Sequence, residues 1–132
     1  MDKPHKKLEA WKQAMDLAVE VYRVTENFPA DERFGLTGQA RRSAVSVPCN
    51  IAEGTARQSR KELLNFLSVA RGSLSELDTL CELSQRLGYL ASDEAAAMDV
   101  RLDHTGRLLS GLIRHHRKRV RSELRGVSRG TE

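Results

Sequence analysis

Along almost the whole chain, apolar side chains return every three or four residues, and no stretch of any length alternates apolar with polar. A period near 3.6 gathers such side chains on one face of a helix, whereas a strand needs a period of two, so the spacing predicts an all-α protein. Leu8, Trp11, Met15, Ala18, Tyr22 and Thr25 form a first stripe over about residues 8–27, ahead of Phe28-Pro29 and a loop to Gly35. A second helix is expected over 36–57, with Leu36, Ala40, Ala44, Val47 and Ile51 on one face. Pro48 lies inside it, and because proline removes a backbone donor and crowds the preceding turn, a kink or a true break is expected near Ala44 to Pro48.

Ser59-Arg60-Lys61-Glu62 reads as a capping box, in which the serine oxygen accepts from the backbone of Glu62. It opens a long third helix over 59–87, striped by Leu63, Leu67, Ala70, Leu74, Leu77, Cys81 and Leu87 and ended by Gly88. Ser92 reads as the N-cap of a fourth helix over 92–121, with Asp93 and Glu94 in its first turn and Met98, Leu102, Thr105, Leu109, Leu112 and His116 along its apolar face. Residues 126–132 show no periodicity and are expected to be a disordered tail, leaving 1–125 as one domain. Short connections force consecutive helices to be neighbours, so the expected architecture is an antiparallel up-down four-helix bundle. Leu64, Phe66, Leu80 and Leu83 fall outside the main seam, and this surplus of apolar surface points to self-association.

Composition removes several function classes. With 39% hydrophobic and 30% charged residues, the 132-residue chain has enough apolar side chain for one core. No apolar run approaches the ~20 residues of a membrane span. A cytoplasmic protein without a membrane partner is the expectation. The two cysteines, Cys49 and Cys81, lie far apart and read as small buried residues of a reducing compartment. No Glu-x-x-His, phosphate-binding glycine loop or Gly-x-Ser-x-Gly occurs, and the four histidines have no ligand spacing. No metal, cofactor or catalytic residue can be named, so no enzymatic activity is expected.

Charge is more informative. The net charge is +4, yet residues 114–125 carry six cations against Glu123 alone, which leaves the rest of the chain slightly acidic. A localised basic run fits a nucleic-acid partner, although cations also complement a helix C-terminus. Arg114, Arg117, Lys118, Arg119 and Arg121 carry it, and a second set, Arg41, Arg42, Arg57, Arg60, Lys61 and Arg71, surrounds the turn between helices two and three. Arginine outnumbers lysine 16 to 6, and its planar fork suits phosphate. Aromatic residues make up only 5%, so base stacking is not expected; binding of RNA or DNA should be backbone-directed and salt-sensitive.

Helix two also carries a polar seam, in which Gln39, Ser43, Ser46, Asn50 and Glu53 step by four, three, four and three. Serine and asparagine are poor choices for an exposed helix face, so partial burial is expected, within one subunit or between two. Asn50 and Glu53 are placed to bond backbone groups that a kink at Pro48 frees.

Leu8-Glu9-Ala10-Trp11, Phe28-Pro29, Glu32-Arg33-Phe34-Gly35-Leu36-Thr37, Gln39-Ala40-Arg41-Arg42-Ser43-Ala44, Ser46-Val47-Pro48 and above all Asn50-Ile51-Ala52-Glu53-Gly54 resemble the bacterial four-helix-bundle family of 23S rRNA intervening-sequence proteins. The resemblance continues through Ala70-Arg71-Gly72-Ser73-Leu74-Ser75-Glu76 and Leu87-Gly88-Tyr89-Leu90, and covers about residues 8–116. It marks Gly54 and Glu76 as signature positions beside the polar seam. It implies a protomer that assembles into a homopentamer and has no known catalytic activity. The related accessory variability protein of diversity-generating retroelements binds nucleic acid and a reverse transcriptase, so a partner protein is a second implied ligand. The basic run from Arg117 onward lies beyond the resemblance.

Overall fold

Four helices carry most of the chain in the computed structural model, which describes residues 3–130: α1 Glu9–Thr25, α2 Leu36–Thr55, α3 Arg60–Arg86 and α4 Ser92–Gly130. Two short 3-10 turns, Pro4–Lys7 and Ala30–Glu32, precede α1 and α2, and the described residues contain no strand. Each helix packs against its neighbours in sequence, and α4 closes the bundle against α1. The centre is filled by Leu17, Val21, Val47, Ile51, Leu67, Leu77, Met98, Leu109 and Ile113, all 1% exposed or less. Burying each of these side chains contributes on the order of 1.5–3 kcal/mol, which is what holds the four helices together.

The expected faces of α2 and most of α3 and α4 are the buried ones: Leu36, Ala40, Ala44, Val47 and Ile51 on α2, Leu63 to Leu77 on α3, and Met98, Leu102, Thr105 and Leu109 on α4. On α1 the expected stripe is rotated. The core face is Ala10, Ala14, Leu17, Val21 and Val24, while Met15 and Tyr22 are 40% and 45% exposed. Of the expected stripe, Ala18 and Thr25 are buried. Toward the end of α3 the seam likewise shifts to Leu80 and Ser84, leaving Leu83 and Leu87 outside. Cys49, expected to be buried, is exposed. Cys81 is half-buried, and burial pushes its thiol up to about 12, so it behaves as an inert apolar side chain.

Pro48 is buried within α2, and the helix runs unbroken through it. The carbonyl deprived of its donor belongs to Ala44, but Asn50 Nδ2 donates instead to the Ser46 carbonyl at 2.8 Å and to Ser46 Oγ at 3.0 Å. Glu53 pairs with Arg57 one turn on, so neither side chain takes up the group that proline frees. The cap of α3 forms as expected, with the Glu62 amide donating to Ser59 Oγ at 3.3 Å. Its far end is a glycine-dependent stop: Gly88 has φ +81°, its amide donates to the Gln85 carbonyl, and the Tyr89 amide reaches back to the Ser84 carbonyl.

Two expectations about α4 change. Ser92 is the first helical residue rather than the cap; the Ala91 carbonyl accepts from Ala95, and the Glu94 carboxylate accepts from the Ala91 amide. The helix also continues to Gly130 instead of ending near 121, so residues 126–130 are helical rather than tail, and 131–132 lie outside the described residues. The apolar period lapses after His116, but residues 117–125 are mostly Arg, Lys, Leu and Glu, whose intrinsic helix preference sustains the backbone without a core to face.

Candidate nucleic-acid interface

Antiparallel pairing of α3 with α4 sets the start of α3 against the far part of α4. The Arg60 guanidinium ties the two: Nε donates to Glu123 Oε1 at 2.7 Å, and one terminal nitrogen lies 2.8 Å from His116 Nδ1. Ser59 of the α2–α3 turn, Arg60 and Lys61 of the first turn of α3, and Val120, Glu123 and Leu124 of α4 line a cleft of about 370 Å³. Arg60 and Lys61 of the second basic set thus meet the cationic stretch of α4 at one end of the bundle. Lys61, Arg114, Arg117, Lys118, Arg119 and Arg121 are exposed there, and none makes an ion pair among the described residues. His116 is half-buried, and burial, with His115, Arg60 and Arg119 adding repulsion, pulls its pKa below the ordinary imidazole value. A neutral ring with Nδ1 as acceptor is consistent with the Arg60 bond.

The other expected cations are placed differently. Arg57 pairs with Glu53 and lies 4.8 Å from the Phe66 ring centroid. Arg41 binds α1: its Nε donates to Thr25 Oγ1 at 3.0 Å, and its guanidinium sits 4.6 Å from the Tyr22 ring centroid. Thr25 is buried and in turn donates to the Val21 carbonyl at 2.7 Å. Arg41 therefore fastens the end of α1 to α2. Arg42 faces another cleft, about 360 Å³ between α2 and α3, with Gln39, Ser43, Ser46, Ser73 and Glu76. Arg71 and Arg114 line a larger α3–α4 cleft of about 760 Å³ together with Arg107, Asp78, Asp99 and Asp103. Because the helices run antiparallel, its cations lie toward the basic end and its acids away from it, the two meeting at the Arg107–Asp103 ion pair of 4.0 Å. Burial first, then Asp99, Glu82 and Asp103, raises the Asp78 carboxyl.

The polar seam is partly covered by α3, and the rest of it lines the α2–α3 cleft. Ser43 is buried, Ser46 and Asn50 are half-buried, and Ser46 Oγ meets Ser73 Oγ of α3 at 2.7 Å; Gln39 and Glu53 at its ends are exposed. Gly54 explains itself by proximity. A Cβ there would lie 3.0 Å from both Leu63 Cδ1 and Phe66 Cβ and 3.2 Å from the Leu63 carbonyl, so glycine lets α2 approach α3 this closely without a neighbour giving way by a few tenths of an ångström. Among the described residues, no three or more His, Cys, Asp or Glu side chains are grouped to hold a metal ion, and no helix is long and apolar enough to cross a membrane.

One feature the periodicity did not expose is an outward apolar groove of about 560 Å³ between α1 and α2, lined by Trp11, Met15, Val19, Tyr22, Val45 and Cys49 among others. The signal was present: the stripe drawn through Trp11, Met15 and Tyr22 is a true apolar face of α1, but the outer one.

Fold and surface together define a four-helix bundle protein with a polar α2–α3 interface and a basic end. Residues 6–111 match the 23S rRNA-intervening sequence protein family, and the chain belongs to that family. The fold is similar to that of a protein of unknown function from the S23 ribosomal protein family of Bacteroides thetaiotaomicron, at TM-score 0.74 and 23% identity, over 80% of this chain and 95% of that one. No curated protein matches. The cations from Arg114 onward lie outside the family match.

Proposed function

We propose that this is a non-enzymatic, oligomeric protein that binds nucleic acid, RNA or DNA, through phosphate contacts made by its basic end. The observation that carries this reading is the meeting of the α2–α3 turn with the cationic stretch of α4, where six exposed cations have no ion-pair partner among the described residues. Unpaired arginines and lysines are available to phosphates, and release of the counterions condensed on the nucleic acid drives association. Of the eleven cations expected from sequence, Lys61, Arg114, Arg117, Lys118, Arg119 and Arg121 are assigned the phosphate contacts; Arg41, Arg57 and Arg60 are held in bonds within the chain, and Arg42 and Arg71 line other clefts. The α1–α2 groove is assigned to self-association, with a homopentamer as the expected assembly. An exposed apolar surface of that size on a protomer also favours a second reading, in which it docks a partner protein such as a reverse transcriptase and the cations keep the assembly soluble.

Binding of the purified protein to labelled RNA and to duplex DNA, with mass measured by light scattering on the same sample, tests both. The nucleic-acid reading expects micromolar or tighter binding at low salt by a particle about five times the 14.8 kDa protomer. A multimer without affinity for either polymer at low salt would transfer the assignment to partner docking.

A further inference from the structure

We propose that Glu123 is a built-in competitor of the nucleic-acid backbone, its carboxylate occupying on Arg60 the place a phosphate takes when the chain binds. The inference rests on the nucleic-acid reading above and names one phosphate position within it. Glu123 is the one acid among the residues from Arg114 to Arg125, and it is bonded to Arg60 at the start of α3 opposite. The guanidinium fork recognises carboxylates and phosphates with the same geometry, so an anion bound at its Nε edge marks where a phosphodiester oxygen fits. The other edge is held by His116 Nδ1 at 2.8 Å, which keeps Arg60 aimed across the cleft rather than splayed into solvent.

Displacement is physically easy. The Glu123 side chain is 57% exposed and Arg60 31%, so the carboxylate can leave for water without uncovering core, while the guanidinium stays partly sheltered. Exposed ion pairs are weak, and a phosphate flanked by Lys61 and the α4 cations gains from several charges where Glu123 has mainly one partner. Arg60 thus becomes available only to a ligand that brings other contacts with it, which favours long polyanions over free phosphate.

The test compares full-length wild type with Glu123→Gln and Glu62→Gln in binding to labelled RNA and duplex DNA at fixed salt, with helicity checked by circular dichroism. Glu62 supplies a matched loss of one negative charge on the same end, from an exposed carboxylate not bonded to Arg60. Glu123→Gln is expected to tighten binding about three- to fivefold and Glu62→Gln less than about twofold. In an Arg60→Gln background the gain from Glu123→Gln should shrink to that of Glu62→Gln. Equal gains from the two substitutions in the wild-type background, or a gain that persists without Arg60, would overturn the proposal while leaving nucleic-acid binding intact. Binding by Glu123→Gln where wild type shows none would support it, and silence from both proteins at low salt would remove this inference and the nucleic-acid reading together.

Discussion

Gly54 and Gly88 are glycines for different reasons, and the difference is measurable. At Gly54 the constraint is space: a methyl group there meets Phe66 Cβ and the Leu63 carbonyl, atoms in or next to the α3 backbone that cannot swing away, so Gly54→Ala is expected to destabilise by about 1–3 kcal/mol in denaturant unfolding. At Gly88 there is room for a side chain, and the constraint is the left-handed φ that ends α3; Gly88→Ala should cost about 1–2 kcal/mol through backbone strain. Because asparagine tolerates the left-handed region, Gly88→Asn should cost less than Gly88→Ala, whereas Gly54→Asn should cost more than Gly54→Ala. His116 adds a pH dependence. Its pKa is lowered in the fold relative to about 6.5 in an unfolded chain, so the unfolded state takes up the proton first. The stability it contributes is present above that value and is lost as pH falls through the folded pKa. Unfolding free energy should therefore drop between neutral and mildly acid pH, and His116→Gln should flatten the drop.

At the scale of elements, legibility follows the contrast between faces. The buried faces of α2 and of the first part of α3 stand out because one side of each helix is apolar and the other is not. Helix α1 misleads because it has two apolar faces: its inner side uses Ala10 and Ala14 beside Leu17 and Val21, and its outer side carries the larger Trp11, Met15 and Tyr22. A stripe drawn through the bulkiest residues selects the outer face. The capping residues of α3 are legible because a serine three positions before a glutamate is a local signal, whereas the extent of α4 is not, since helix preference rather than burial carries its end. In sequence the basic end is visible only as two separate charge clusters; what joins them is the register of α3 against α4, which no local pattern encodes. Val120→Pro tests the element directly. It should break α4 past the bundle, lower helicity, and weaken nucleic-acid binding with little change in the melting of the core, because Ile113 is the last core residue that α4 contributes among the described residues.

For the whole molecule, two surfaces are assigned two tasks: the apolar α1–α2 groove to assembly, and the basic end to phosphates. They are built from different residues, so they can be separated. Val19→Asp, at a residue 67% exposed in the groove, should lower the particle mass toward one protomer without unfolding it, and should weaken binding to long nucleic acids through lost multivalency. Contacts between the exposed cations of the basic end and phosphates should show in the salt dependence of binding. Affinity for duplex DNA is measured across a salt series for wild type and for a variant with Arg114, Arg117, Lys118 and Arg119 all changed to Gln. Each lost phosphate contact should reduce the slope of log affinity against log salt by about 0.9 per protomer engaged, so the variant should bind more weakly at low salt and with a visibly shallower slope. Equal slopes and equal affinities for the two proteins would contradict the assignment.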